Sequence, residues 1–295
     1  MLGETLARGP ARFPLYGYLG GAVVGAAEVL LFSGSPGVGP WFTPIVWTGY
    51  VLLMDAVVAR LTGRSYLTTD RVEGVLVALA SIGCWWLFEW YDAPRFWRGG
   101  GDAVGLWWQY HNMQPDLFLR RVGYDWAFAT IFPGLFLTAA ALRATVFKHA
   151  RVSPWRPSPG VLNLAVAVGA VSVVLPLLVV SAWLVPLVWT GWALLLEPLN
   201  SKRGRPSWLA DLAAGDASRV LALLVGGLVC GVLWEFWNFW ALTKWTYTVP
   251  YGPDVKLFEM PVLGYLGFPP FALECFAMYR WLRGRLGEEA RAPVL

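Results

Sequence analysis

The sequence predicts an all-α polytopic membrane protein of about eight transmembrane helices, arranged as two parallel four-helix repeats. Three observations carry this. Of 295 residues, 57% are hydrophobic and 14% charged, against about 25% charged in soluble domains; the mean hydropathy is +0.52. At about 1.5 Å rise per residue a membrane span takes about 20 residues, and the chain contains eight apolar runs near that length. Finally, motifs of residues 1–150 recur in the same order in residues 151–295.

The runs are Leu15–Phe32, Pro44–Ala59, Val72–Trp90, Tyr124–Val146, Val161–Ser181, Leu184–Leu199, Ser218–Ala241 and Pro261–Leu282. The first follows polar Arg8 and Arg12 without a clean cleavage site and reads as a retained span. The fifth and sixth share one apolar stretch, which predicts a tight hairpin near Ala182. Pro261, Pro269 and Pro270 interrupt the eighth near its entrance, as in a helix that lines a cavity.

Loop charge sets the orientation. Arg8, Arg12, Arg60, Arg64, Arg71, Arg143, Lys148, Arg151, Arg156, Lys202, Arg203, Arg205, Arg219, Arg280, Arg283, Arg285 and Arg291 fall on one side of an eight-span chain. Arg95, Arg98, Arg120, Arg121, Lys244 and Lys256 fall on the other. Seventeen against six predicts a multi-pass protein of the cell inner membrane with both termini cytoplasmic.

The repeat is colinear. Pro44-Ile-Val-Trp-Thr-Gly-Tyr50 matches Pro186-Leu-Val-Trp-Thr-Gly-Trp192, and Asp55 falls on Glu197. Gly63-Arg64 falls on Gly204-Arg205. Cys84, Glu89 and Asp92 fall on Cys230, Glu235 and Asn238. Trp108-Gln109-Tyr110 matches Trp245-Thr246-Tyr247, and Phe132-Pro133 matches Phe268-Pro269. Four spans per unit is an even number, so both units enter the membrane the same way round. A pseudo-two-fold axis along the membrane normal follows, with a site or path between the units.

Several chemistries are excluded or unsupported. Cys84, Cys230 and Cys275 sit in apolar runs, without metal-ligand spacing, and read as small buried residues. Two histidines, His111 and His149, cannot build a multi-histidine metal site. No GxGxxG, P-loop or HExxH motif is present, so neither a metal nor another cofactor is expected. The net charge of +4 lies in short loops and predicts no nucleic-acid partner.

Acidic residues inside spans cost about 2.5–3.5 kcal/mol each at the bilayer centre and need a partner, a cavity or a function. Asp55, Glu89, Glu197, Glu235 and Glu274 qualify, with Asp125 and Glu259 at span entrances. Two share a setting: Cys84-Trp-Trp-Leu-Phe-Glu89-Trp-Tyr-Asp92 and Cys230-Gly-Val-Leu-Trp-Glu235-Phe-Trp-Asn-Phe-Trp240. In each a carboxyl stands among indoles, with Asn238 or Asp92 one helical turn on. A neutral carboxylic acid in a dry pocket is a general acid, and indole faces stabilise cations by about 0.5–2 kcal/mol. This combination suits protonation of an alkene. The alternative is an interfacial tryptophan belt with carboxyls reaching the headgroups.

Asp55 and Glu197 lie near Arg60, Lys202 and Arg203, which predicts structural ion pairs. Glu274, in Phe271-Ala-Leu-Glu274-Cys275, has no counterpart in residues 1–150 and is either a specialised site or a helix-to-helix hydrogen bond. His111, in Trp107-Trp-Gln-Tyr-His-Asn112, is a base or a solvated loop residue. The loop with Lys244, Trp245, Tyr247, Pro250 and Tyr251 reads as an aromatic lid. The candidate catalytic acids are Glu235 and Glu259, then Glu89 and Glu274; the candidate substrate-binding residues are Trp234, Trp237, Asn238, Trp245, Tyr247, His111 and Asp125.

The layout of Glu235, Trp245-Thr-Tyr247 and Met260-Pro261 resembles the carotenoid 1,2-hydratases and the related small lycopene-cyclase-domain proteins. It covers about 45 residues, Trp234 to Tyr279, and lacks the paired acidic motif of those cyclases. The resemblance implies cofactor-free acid–base chemistry on an isoprenoid chain. Three readings stay open: such an enzyme of lipid or isoprenoid metabolism, a carrier with two pseudo-symmetric units, and a non-catalytic subunit of a membrane complex. A membrane lipid or isoprenoid is the expected partner, and self-association is compatible with each.

The charge split makes a first prediction. Reporter fusions after Leu295 and within residues 93–120 are expected to report opposite sides, with the C-terminal fusion cytoplasmic; a periplasmic C-terminus overturns the span count.

Overall fold

The computed structural model describes residues 12–93, 105–252, 254–287 and 294–295. Arg8, Arg95, Arg98 and Arg291 of the charge split lie outside the described residues. Among the described residues, eight helices are long and apolar enough to cross a membrane: Leu15–Phe32, Gly39–Thr62, Arg71–Asp92, Leu117–Ala144, Pro159–Leu178, Ala182–Lys202, Ser218–Trp240 and Val262–Arg283.

The first two are α1 (Leu15–Phe32) and α2 (Phe42–Thr62), which pack as a hairpin. Glycine lets their backbones touch: a Cβ on Gly20 would lie 2.6 Å from the Gly49 carbonyl oxygen. A second hairpin, α6 (Pro159–Leu178) and α7 (Val185–Lys202), has the same contact, since a Cβ on Gly169 would lie 2.8 Å from the Gly191 oxygen. Small residues at such crossings give apolar helices the close packing that replaces hydrophobic drive in lipid. The turn between α6 and α7 is a 3-10 segment at Ala182–Leu184, as the sequence predicts.

After α3 (Arg71–Asp92), the fourth span is broken into α4 (Leu117–Ala129) and α5 (Ile131–Ala144). The sequence predicts one run over Tyr124–Val146. Two causes act together. Pro133 has no N–H for the carbonyl of Ala129. The Ser81 hydroxyl inserts into the ladder, donating to the Phe128 carbonyl at 2.5 Å and accepting from Phe132 N at 3.0 Å.

A short helix α8 (Trp208–Ala213) precedes α9 (Ser218–Trp240), which packs against α5. Its Gly226 faces Ala139 of α5, and a Cβ there would lie 3.2 Å from Ala139 N. The eighth span opens as a 3-10 segment, Val262–Gly267, and becomes α10 at Phe268–Arg283. Pro269 and Pro270 occupy the first turn of α10, where a helix has no use for their missing N–H groups.

The all-helical expectation omits two strand pairs. β1 (Trp108–His111) pairs antiparallel with β2 (Lys244–Tyr247), and β3 (Lys256–Leu257) with β4 (Met260–Pro261). In the first ribbon Trp108 faces Tyr247, Gln109 faces Thr246 and Tyr110 faces Trp245. Each strand is too short for a period-two pattern to show in the sequence.

The bundle's two ends differ. The ribbon caps the C-terminal ends of α3 and α9. At their N-terminal ends charges pair: Arg64–Asp70 at 3.0 Å, Arg219–Asp211 at 2.8 Å and Arg283–Glu73 at 2.8 Å. Leu15, Leu19 and Val29 on α1 and Leu164, Val168 and Val171 on α6 are exposed, giving the bundle an apolar outside.

Asp55 and Glu197 are fully buried, and their partners are hydroxyls and amides rather than the basic residues the sequence suggests. Asp55 accepts from Tyr16 Oη at 2.7 Å, Ser65 Oγ at 2.7 Å and Leu67 N at 3.2 Å. Glu197 accepts from Ser207 Oγ at 2.6 Å and Leu209 N at 3.0 Å. The nearby cations turn elsewhere: Lys202 donates to Asn163 at 2.7 Å, Arg203 lies over Trp281, and Arg60 is exposed. Hydrogen bonds from a following turn serve these buried carboxyls without dragging a long charged chain into the apolar core, with Glu197 Oε2 alone of their four oxygens lacking a partner among the described residues. Cys84, Cys230 and Cys275 are free and buried.

Ser207→Ala leaves Glu197 with no side-chain donor, whereas Ser65→Ala leaves Asp55 with Tyr16. Both are expected to lower the thermal midpoint in detergent. The cost is about 1–3 kcal/mol for Ser207→Ala and less for Ser65→Ala; equal or absent shifts contradict this.

Candidate functional site

Below the ribbon lies a cavity of about 490 Å³. Six helices supply its aromatic walls: Trp47 from α2, Trp85 from α3, Phe128 from α4, Trp189 from α7, Trp234 from α9 and Phe271 from α10. Trp108, Tyr110, Trp245 and Tyr247 of the ribbon form its roof. The rings brace one another, with centroid separations of 5.0 Å for Trp47 and Trp234, 6.1 Å for Trp85 and Trp108, and 4.9 Å for Trp189 and Phe271. Edge-to-face and tilted pairs of this kind fix ring orientation and add about 0.5–1.5 kcal/mol each beyond burial.

Glu235 stands in this wall and is fully buried. Its Oε1 accepts from Tyr247 Oη at 2.7 Å, and Tyr247 Oη in turn accepts from Trp245 Nε1 at 2.7 Å. Its Oε2 has no hydrogen-bond partner among the described residues. One oxygen is therefore oriented by a two-member relay, and the other shares its lack of a partner among the described residues with Glu197 Oε2 and Glu274 Oε1.

Glu89, the sequence match of Glu235, is held differently. Its Oε1 accepts from Trp85 Nε1 at 2.8 Å, Trp108 Nε1 at 3.3 Å and Tyr110 Oη at 2.5 Å. All three donors belong to the cavity wall, while Glu89 itself lies behind them. Burial, and next the adjoining carboxyl, raises the Tyr110 and Tyr247 hydroxyls well above the ordinary phenol range. Both therefore stay protonated and act as donors.

The other candidate residues stand outside the cavity wall. Glu259 forms an ion pair with Lys244 at 2.6 Å. The sequence places Glu259 in the same layer as Glu235 but gives no sign that β2 brings a lysine to it. Glu274, one turn beyond Phe271 on α10, is fully buried and its Oε2 accepts from Trp192 N at 3.2 Å. That is a helix-to-helix hydrogen bond, the second of the two readings the sequence leaves open. Glu274 Oε1 makes no hydrogen bond among the described residues.

His111 bonds through Nε2 to Thr246 Oγ1 at 2.7 Å across the ribbon. Asp125 accepts from Trp86 Nε1 at 2.6 Å and pairs with Arg121 at 2.9 Å. Trp237 packs on Trp47 at 5.0 Å and donates to Glu28 at 2.9 Å. Asn238 grips the backbone of Trp245, donating to its carbonyl at 2.8 Å and accepting from its N–H at 2.9 Å. Asp92, which the sequence aligns with Asn238, accepts from Trp107 N at 2.6 Å and Trp108 N at 3.3 Å. Trp237 and Asn238 therefore support the site rather than line it, whereas Trp234, Trp245 and Tyr247 line it.

Trp47 and Trp189 are wall residues that the sequence presents only as repeat markers, in the Pro-x-Val-Trp-Thr-Gly motif. Their recurrence at matching positions is a usable signal. Glu28, inside the first span, carries a single acid with no counterpart and offers none. Among the described residues no three His, Cys, Asp or Glu side chains converge as metal ligands would. Comparison with protein-family models, with curated proteins and with solved structures finds no match to this chain.

The unequal donor sets yield a prediction. Tyr247→Phe removes the hydrogen bond to Glu235, while Tyr110→Phe leaves Glu89 two indole donors. Near-ultraviolet circular dichroism of the tryptophans during unfolding is expected to show Tyr247→Phe destabilised by about 1–3 kcal/mol and Tyr110→Phe by clearly less. The reverse order would contradict the assignment of donors.

Proposed function

We propose that this chain is a multi-pass protein of the cell inner membrane and an acid–base enzyme acting on an isoprenoid-like lipid, without a cofactor. The observation that carries the reading is Glu235: a buried carboxyl in an aromatic cavity, with one oxygen tied to Tyr247 and the other without a partner among the described residues. Protonated, it can give its proton to a carbon of a substrate double bond. The O–H bond breaks, a C–H bond forms, and positive charge develops on the neighbouring carbon. The indole faces of Trp47, Trp85, Trp189 and Trp234 surround the space in which that cation would sit. Return of a proton from an adjacent carbon to the Glu235 carboxylate closes the cycle as an isomerisation or cyclisation, with no external reductant or oxidant. A cavity of about 490 Å³ lies within the range of about 300–1,000 Å³ usual for small-molecule sites.

The architecture proposed is a parallel duplication, residues 1–150 and 151–295, with both termini cytoplasmic. Matching hydrogen bonds support it. Ser65 and Leu67 serve Asp55 as Ser207 and Leu209 serve Glu197. Tyr110 serves Glu89 as Tyr247 serves Glu235. The ribbon register, Trp108 to Tyr247 and Tyr110 to Trp245, maps onto itself when the two units exchange.

That symmetry also favours a second reading, a carrier whose two units act alike. The unequal settings of Glu89 and Glu235 weigh against it. The two readings separate on substitution. In cells compared by lipid mass spectrometry, Glu235→Gln is expected to abolish the product while the protein still accumulates and folds. Glu89→Gln is expected to retain most of it. Equal loss in both supports the carrier; no change in either removes the acid–base mechanism.

A further inference from the structure

The cavity has a second pole. Arg120, in α4, stands in its wall and is half-buried. Its Nε donates to the Gln114 carbonyl at 2.7 Å, which fixes the guanidinium against the loop leading from β1. Among the described residues it has no carboxylate within ion-pair distance. Its neighbours differ. Arg121 pairs with Asp125 at 2.9 Å and lies over Trp86, and Lys244 pairs with Glu259 at 2.6 Å. Leu119, beside Arg120 in the chain, lines the cavity and is exposed.

A half-buried cation facing an aromatic cavity is costly unless an anion meets it. Arginine presents a planar fork of N–H donors that fits phosphate oxygens, and with Nε already engaged its terminal nitrogens remain to be used. α4 begins on the ribbon side, where an interfacial headgroup would lie, and the indoles fill the interior.

We propose that the ligand of this cavity is an amphipath, an isoprenoid chain among the indoles with a phosphate-type anionic head on Arg120. The inference rests on reading the cavity as a lipid site and adds the class of headgroup. It does not depend on turnover at Glu235.

The test uses the full chain in detergent, with tryptophan fluorescence titrated by farnesyl monophosphate, farnesol and inorganic phosphate. The monophosphate is expected to bind at least tenfold tighter than farnesol, about 1.4 kcal/mol, and inorganic phosphate alone not to compete. Arg120→Gln is expected to erase the preference while leaving the farnesol Kd unchanged, which also shows that the variant is folded; Arg120→Lys is expected to keep much of it. Equal binding of farnesol and its phosphate overturns the headgroup assignment and leaves the lipid cavity standing. So does a preference that survives Arg120→Gln, which makes Arg120 a residue that merely reaches the membrane surface. Competition by inorganic phosphate alone overturns it in favour of a free-anion site. Binding of neither isoprenoid overturns the headgroup assignment and the lipid cavity together.

Discussion

A carboxyl inside an apolar bundle must be given donors by the protein itself, because neither water nor lipid chains supply them. Loop placement in this chain follows from that constraint. The turn after α2 is pinned because Ser65 and Leu67 must reach Asp55, and the turn after α7 because Ser207 and Leu209 must reach Glu197. At the other end, Asp92 holds the start of β1 and Asn238 the start of β2. Tyr110 and Tyr247 then drop their hydroxyls onto Glu89 and Glu235. The ribbon is thus a consequence of satisfying four polar groups at two helix ends.

Once the ribbon is in place, it roofs the space between the helices. Trp108 and Trp245 turn towards the same interior as Trp47, Trp85, Trp189 and Trp234. Large rigid rings enclose a volume without collapsing it, since each is braced by an edge or a tilted face of another. The prolines at the start of α10 and the 3-10 segment before it keep the eighth span from closing the cavity, and Met260, Leu263 and Phe268 from this stretch contribute to its wall. The opposite end of the bundle is held by ion pairs, including Glu73 of α3 with Arg283 of α10. Polar fastening at one end and aromatic enclosure at the other leave the middle of the bundle to small residues and close helix contact.

The departure from symmetry is chemical rather than architectural. Glu89 receives three donors on one oxygen, and Glu235 receives one. The difference arises from two residues. Trp85, one turn before Glu89, is replaced at the matching position before Glu235 by Gly231, and the indole of Trp245 bonds Tyr247 instead of the carboxyl. One substitution and one re-aimed indole thus leave Glu235 with a single donor where Glu89 has three.

The sequence by itself determined the spans, the hairpin near Ala182, the burial of Cys84, Cys230 and Cys275, and the proline break at the eighth span. These follow from composition and local backbone rules that act over a few residues. It also named Glu235, Trp234, Trp245 and Tyr247 among the candidate site residues, because an acid among recurring aromatics is a local pattern, and these four stand at the cavity. Only the tertiary structure decided which donor meets which acid. Glu259 went to Lys244, Glu274 to the Trp192 amide, and Asp55 and Glu197 to serine hydroxyls, although charged partners were nearer in sequence. It alone paired β1 with β2 across more than a hundred residues and broke the fourth span with a hydroxyl from Ser81. Hydrogen-bond partners in an apolar medium are selected by geometry over the whole bundle, and sequence distance carries no record of that geometry.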